Sequence, residues 1–170
     1  MTIIEYNKAV KTFADNLYRF LLKSTGNKAD AEDLVQITFE KLWINRKKVR
    51  MESIKAYLFK VGYNAMIDRY RKIRRLHFHS ELPEKSHEPA AYNIELQELL
   101  HNALNKLSNN HRAVVLLRDY EGYTYQEISD ITGLSLQQVK VYIFRARRKM
   151  RTYLQPYYNS SNNEQQHKYT

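Results

Sequence analysis

The sequence predicts an all-α protein of two small helical domains joined by a flexible linker, the C-terminal one containing a helix-turn-helix. Three observations carry this. Only four Gly and three Pro interrupt 170 residues. Within the uninterrupted runs, apolar residues recur at spacings of three and four, which marks one face of a helix. Between residues 77 and 91 that periodicity stops and two Pro appear, marking a domain boundary. The expected organisation is a first domain at 1–76, an acidic linker at 77–91, a second domain at 92–155 and a disordered tail at 156–170.

In chain order, Tyr6, Val10, Phe13, Leu17 and Leu21 mark a first helix that ends before Gly26. A second is expected to start at Asp30, whose carboxylate can cap it, with Ala31, Leu34, Val35, Thr38 and Leu42 along one face. Phe39 and Trp43 lie off that row. They read either as core or as an exposed aromatic anchor for a protein partner. Residues 45–51 form a basic loop, and a long helix follows from about Ser53 to Arg75, its buried face drawn by Ile54, Tyr57, Leu58, Val61 and Ala65. Residues 45–75 hold eleven Lys or Arg against two acids, interleaved with Tyr57, Tyr63 and Tyr70. Basic side chains can follow a phosphate backbone while aromatic faces stack on unpaired bases. The competing reading is a solvated helix with Tyr in its core.

The linker is acidic, with Glu81, Glu84 and Glu88 against Lys85, and its fifteen residues could span at most about 50 Å. His77, His79 and His87 lack a matching ligand cluster and read as surface residues, not a metal site. Ile94, Leu96, Leu99, Leu100, Ala103, Leu104 and Leu107 build the next helix. Ser108 or Asn109 caps another, with Ala113, Val114, Leu117 and Tyr120 facing the core, and Gly122 breaks it.

Thr124 to Arg151 is the most informative stretch. Thr124-Tyr125-Gln126-Glu127 and Ser135-Leu136-Gln137-Gln138 both fit a capping box, and Gly133 sits between the two helices they open. Small Ser129 would let the helices approach closely. Leu136, Val139, Ile143, Ala146 and Met150 form one face of the second helix, while Lys140, Phe144, Arg145, Arg147, Arg148 and Arg151 fall largely off it. A helical hairpin with an outward basic second helix is the arrangement that enters a DNA major groove. The helix is expected to end before Pro156, and the polar stretch beyond it has no apolar repeat.

The formal charge of +10 favours a polyanionic partner without choosing among DNA, RNA and an acidic membrane. No stretch approaches the roughly 20 apolar residues that span a bilayer, and the N-terminus lacks the pattern of a signal peptide. The absence of Cys excludes disulfides and thiolate metal sites. A cytoplasmic protein without cofactor or metal is the expectation.

These segments together resemble the extracytoplasmic-function (ECF) sigma factors, promoter-specificity subunits of bacterial RNA polymerase. The resemblance covers nearly all of residues 5–154. DAEDLVQITFEKLW at Asp30–Trp43 looks like the helix that docks on the polymerase clamp. IKAYLFKVGYNAMIDRYRKIRR at Ile54–Arg75 is similar to the part that melts and reads the downstream (minus-10) element. YEGYTYQEISDITGLSLQQVKVYIFRARRKMR resembles the reader of the upstream (minus-35) element. The resemblance implies that Asp33, Gln36, Phe39 and Trp43 meet the polymerase core. Asn64 would sit beside a captured base, with Lys60, Arg69, Arg71 and Arg74 on backbone phosphates. Gln137, Gln138, Lys140, Val141, Phe144 and Arg145 would contact the upstream element, where Gln and Lys can address base edges and Val141 or Phe144 a thymine methyl. Arg147 and Arg148 read as phosphate contacts, which position without specifying. The implied partners are RNA polymerase core, promoter DNA (duplex upstream, single-stranded downstream) and an anti-sigma factor, with no membrane insertion. Leu107-Ser108 departs from the family's frequent Leu-Pro, and Val141-Tyr142 stands where small or polar residues are common.

Two other functions are open to the sequence. A free-standing dimeric helix-turn-helix regulator would use residues 124–151 but leave the basic, Tyr-rich helix without a task. A DNA-processing enzyme would need a nucleophile; Tyr70 between Arg69 and Arg71 is the nearest candidate, without an accompanying base. The expectation is a non-enzyme.

Overall fold

The structure is a computed structural model that describes residues 1–77 and 94–166, with side chains over 1–75 and 96–158. The expected linker lies outside the described residues apart from His77. Seven α-helices are described: α1 Ile3–Thr25, α2 Lys28–Ile44, α3 Ile54–His77, α4 Ile94–Asn105, α5 Asn109–Val115, α6 Tyr125–Thr132 and α7 Leu136–Gln166. A 3₁₀ turn, Met51–Ser53, leads into α3, and a π-helical turn, Leu116–Tyr120, extends α5.

The first three helices form one bundle. A capping box opens α1: the Glu5 N–H donates to Thr2 Oγ1, and the Thr2 N–H donates back to Glu5 at 2.6 Å. Gly26 closes it at φ 66°, a left-handed conformation that L side chains resist. The second helix begins earlier than expected. Asn27 is its cap, accepting from the Asp30 N–H at 3.0 Å, which leaves the Asp30 carboxylate free for another partner. Leu17, Phe20, Leu21, Leu34, Leu42, Leu58 and Phe59 fill the space between the helices. Gly62 permits their close approach: a Cβ there would lie 3.1 Å from Leu17 Cδ1.

The buried face of α3 is wider than the spacing implied. Phe59, Tyr63 and Met66 are buried, whereas Tyr57, Val61 and Ala65 are only partly so. The cause is a second neighbour. Helix α3 packs against α1 and α2 on one side and against α6, from the C-terminal half, on another. The two expected domains therefore share a continuous apolar core.

In the C-terminal half, Ser108 caps α5 and Thr124 caps α6 with a complete capping box. The Ser135–Gln138 box opens α7. Leu107, Val114, Leu117, Ile128, Ile131, Val139, Ile143 and Ala146 are the core. Tyr120, expected to face that core, is exposed, and so are Leu96 and Leu100. The π-helical turn takes one extra residue into its turn, the Glu121 N–H bonding to the Leu116 carbonyl, and this shift of register carries Tyr120 off the buried face. The last helix also departs from expectation by continuing through Pro156 to Gln166. Proline removes one backbone donor, and because Thr152 and Pro156 are both exposed, water can satisfy the freed carbonyl.

Candidate nucleic-acid and polymerase interfaces

The helix-turn-helix is locked by local polar contacts. Ser129 Oγ donates to the Leu134 carbonyl at 2.6 Å and Thr132 Oγ1 to the Ile128 carbonyl at 2.7 Å. Gly133 makes the turn at φ 74°. Ser129 thus fixes the turn as well as being small, a role its size alone did not announce. With Val139, Ile143 and Ala146 buried, α7 turns its opposite face to solvent. Gln137, Gln138, Lys140, Val141, Phe144, Arg145, Arg147 and Arg148 are all exposed. Phe144 is 67% exposed, an unusual place for an aromatic ring without a partner surface.

Two of these residues are already engaged. Gln138 Oε1 accepts the Ser135 N–H at 2.9 Å, so its carbonyl end serves the cap and its amide end faces outward. Arg147 pairs with Asp119, its Nε donating to Oδ2 at 3.0 Å, a pair that ties α7 to the turn after α5. Arg147, expected as a phosphate contact, is thus paired as a brace in the free chain. Its neighbour Arg148 forms no ion pair with a described acid. Exposed Lys149 and Arg151 add to the positive field, and the effect is felt at His111. Burial first, then Arg145 and Lys149, lower the basicity of its imidazole.

Along α3, Lys60, Asn64, Arg71 and Arg74 are exposed. Arg71 reaches only an exposed Asp68 at 3.6 Å. Arg69 is different: its guanidinium is held by Asp30 at 2.7 Å and by Asp33 at 3.4 Å, tying α3 to the start of α2. The expected phosphate contact is therefore occupied within the fold. Of the tyrosines, Tyr57 Oη donates to the Lys41 carbonyl at 3.4 Å and Tyr70 Oη to the Ser24 carbonyl at 2.9 Å. Tyr63 is buried and donates to Asn110 Oδ1 at 3.4 Å. Burial raises the phenol pKa of both Tyr63 and Tyr70 above its ordinary value.

On α2, Asp33 and Gln36 are exposed and Trp43 is half-buried, its ring stacked under Arg46 at 4.1 Å and edge-on to Tyr6 at 5.0 Å. Phe39 faces inward, 7% exposed, with Tyr6 edge-on at 6.4 Å. It is core rather than anchor, because α1 covers the position where it emerges.

Sequence reasoning missed Arg112, which is 8% exposed. Its guanidinium donates to the carbonyls of Leu104 (2.9 Å) and Ser24 (3.0 Å), near the C-terminal ends of α4 and α1. The signal was present: Arg112 lies three and four residues before Val115 and Leu116, on an otherwise apolar face. Among the described residues, no group of three His, Asp or Glu is placed to hold a metal ion, and no helix is long and apolar enough to cross a membrane.

Comparison with known proteins assigns both halves. Residues 9–76 match the family profile described as Sigma-70 region 2, and residues 97–150 that described as Sigma-70, region 4. The ECF RNA polymerase sigma factor SigM of Bacillus subtilis is 31% identical over 144 residues, covering 82% of this chain and 88% of that protein. The ECF RNA polymerase sigma factor SigL of Mycobacterium tuberculosis is 34% identical over 147 residues, covering 82% of each. SigE of Mycolicibacterium smegmatis is 30% identical over 158 residues, and the match spans 61% of that longer protein. Among solved structures, the sigma factor RpoE in complex with the anti-sigma factor NepR from Bartonella quintana is similar with a TM-score of 0.77. Identity is 26%, over 90% of this chain and 98% of that one. CnrH in complex with the cytosolic domain of CnrY is similar with a TM-score of 0.65 at 26% identity, over 89% and 88% of the two chains.

Proposed function

Because this chain belongs to the sigma-70 family, in its ECF group, we propose that it directs RNA polymerase core to promoters through surfaces divided between its two halves. It is a promoter-specific transcription initiation factor and acts by binding, with no covalent step. The observation that carries the reading is the outward face of α7. A buried apolar side fixes the helix, and the opposite side presents Gln137, Lys140, Val141, Phe144, Arg145 and Arg148 together. Base-edge donors, an apolar contact for a thymine methyl and phosphate-binding cations are what major-groove recognition requires.

The division of labour follows from exposure. Upstream duplex DNA meets α7, with Gln138 offering its outward amide. Melted downstream DNA meets α3, where Asn64 stands beside a captured base and Lys60, Arg71 and Arg74 hold phosphates. A captured base offsets part of the unstacking cost of a few kcal/mol, and of the α3 tyrosines Tyr57 and Tyr70 keep partly exposed rings that could stack on it, whereas Tyr63 is buried. Polymerase core meets α2 through Asp33, Gln36 and Trp43, with Phe39 supporting the surface from inside and Arg69 fixing its angle to α3. A protein with these partners works in the cytoplasm. The anti-sigma factor NepR accompanies the solved relative RpoE, and a partner of that kind is the regulator that fits this chain.

The test is DNA binding by the purified chain with and without core polymerase, on duplex and pre-melted promoter fragments at fixed salt. Core-dependent binding and initiation, lost on substituting Gln36 or Trp43, are expected. Tight duplex binding by the chain alone, indifferent to core, would overturn the reading in favour of a free-standing regulator.

A further inference from the structure

A concave, basic patch flanks the recognition helix on the side of α4. There a pocket of about 410 Å³ is lined by Lys106, Arg145, Arg148, Lys149, Thr152 and Tyr153. Lys106 follows the last residue of α4, outside the helix-turn-helix, and its Nζ lies 5.9 Å over the Tyr153 ring. That cation–π contact holds the ammonium against α7. Thr152 donates its hydroxyl to the Arg148 carbonyl at 3.1 Å, so it shapes the wall and adds no free donor.

Four cations converge on this pocket without a counterion. Lys106, Arg145, Arg148 and Lys149 form no ion pair with a described acid, and the sequence has no Asp or Glu from residue 131 to residue 163. Like charges gathered in this way repel one another, and an anion between them removes the repulsion. A neighbour registers the field. The His111 imidazole stands edge-on to Tyr142, one turn before Arg145 on α7, with ring centres 4.8 Å apart. After burial, Arg145 and Lys149 depress its basicity, and among the described residues no carboxylate offsets them.

Position along α7 selects the anion. Lys149 lies twelve residues beyond Gln137, about 18 Å along the axis at a rise of about 1.5 Å per residue. The major groove is only about 12 Å wide. With the Gln137 end of α7 on the bases, the Lys149 turn has passed the groove's edge and stands level with a strand's backbone.

We infer that the pocket between Lys106 and α7 is an anion site that holds a DNA phosphate at the rim of the major groove, with Lys106, Arg145 and Lys149 as its donors. DNA as the source of that phosphate rests on the sigma reading; the anion site itself does not. A phosphate contact fixes position without reading sequence. Lys106 thereby ties the docking angle of α7 to α4, while Gln137, Val141 and Phe144 are left to address the bases.

His111 reports the site without DNA. In NMR titrations of the full-length chain at constant ionic strength, inorganic sulfate is the probe, since its charge is constant across the imidazole range. Replacing chloride with sulfate should raise the His111 pKa, because an anion beside Arg145 and Lys149 relieves the field that lowers it. His111→Gln identifies the signal, and the response should be lost in Lys106→Gln/Lys149→Gln. Both lysines are exposed, so neither substitution disturbs the core. On DNA, holoenzyme should be tested with an upstream duplex selected from a random pool. Lys106→Gln and Lys149→Gln should each make the slope of log affinity against log salt shallower by about 1. Each should weaken selected and scrambled duplexes by the same factor, whereas Lys11→Gln, an exposed lysine on α1, should leave the slope as it is. A His111 pKa indifferent to sulfate overturns the site. An unchanged slope for Lys106→Gln, or an equal change for Lys11→Gln, overturns its assignment to DNA; with the sulfate response intact, an acidic protein segment becomes the occupant. Wild-type holoenzyme that binds selected and scrambled duplexes alike would overturn the sigma reading instead, with the sulfate response left standing.

Discussion

Phe39 and Gln36 lie three residues apart on α2, yet one is sealed beneath α1 and the other stands in solvent. Their substitutions should separate stability from partner binding. Phe39→Ala removes a buried ring and should cost about 3–5 kcal/mol, roughly a 10 °C fall in melting temperature for a chain of this size. Gln36→Ala should leave thermal unfolding, followed by circular dichroism, unchanged within about 0.5 kcal/mol, and should weaken core binding instead. Equal melting temperatures for the two variants would return Phe39 to the surface. Arg69 calls for a different measurement. Its pairs with Asp30 and Asp33 are partly exposed, so together they are worth about 1 kcal/mol or less. In a double-mutant cycle, Arg69→Ala and Asp30→Asn should be non-additive in stability, the mark of a shared contact. Additive losses would make Arg69 a free cation again. Periodicity placed Phe39 off the main row and left it undecided, because a helix covered on two sides buries residues that a one-sided pattern assigns to solvent. The ion pairs of Arg69 and Arg147 were not foreseen for a related reason: a cation's local sequence does not show an acid that approaches from another helix.

At the scale of elements, the readable signals were the local ones. Both capping boxes of the helix-turn-helix, its Gly turn and the Gly26 stop follow from residues within four positions of each other, and each appears as expected. The start of α2 did not, although Asn27-Lys28-Ala29-Asp30 offers a cap and an acid in the first turn. Two good capping residues compete there, and Asp30 is drawn off by Arg69, thirty-nine residues away. The box at α6 makes a pH prediction. The Thr124 N–H and hydroxyl both donate to the Glu127 carboxylate at 2.8 Å, and the backbone bond most of all lowers its pKa below the ordinary value. A lowered folded-state pKa means stability that is present above the unfolded pKa of about 4.3 and is lost as pH falls through the folded value. Glu127→Gln should therefore be less stable than wild type at neutral pH. The gap in denaturant midpoint should close as the pH is brought below about 4. A gap that widens on acidification would mean that the carboxylate does not hold the cap.

For the whole molecule, composition announced a polyanionic partner, and the three segments in order announced the family. Their packing together could not be read, because Arg112, Tyr123 and Asn110 owe their placement to a partner face far away in sequence. The net charge of +10 also says nothing about which cations are free to meet phosphate; the ion pairs do. On α7, Arg147 is committed to Asp119, whereas Lys140, Arg145 and Arg148 form no ion pair with a described acid. Each phosphate neutralised contributes about −0.9 to the slope of log affinity against log salt. Holoenzyme carrying Arg148→Ala should bind a duplex upstream fragment with a slope shallower by about 1 than wild type. Arg147→Ala should leave the slope unchanged and instead lower the chain's thermal stability slightly, by about 0.5 kcal/mol, as an exposed brace does when cut. Comparing slopes within the holoenzyme cancels the contribution of the core, which is the same in every arm. Equal slope changes for the two arginines would show that the Asp119 pair opens on DNA. Arg147 would then be a phosphate contact that the free chain merely stores, and the recognition helix would count one more cation on DNA than the free fold displays.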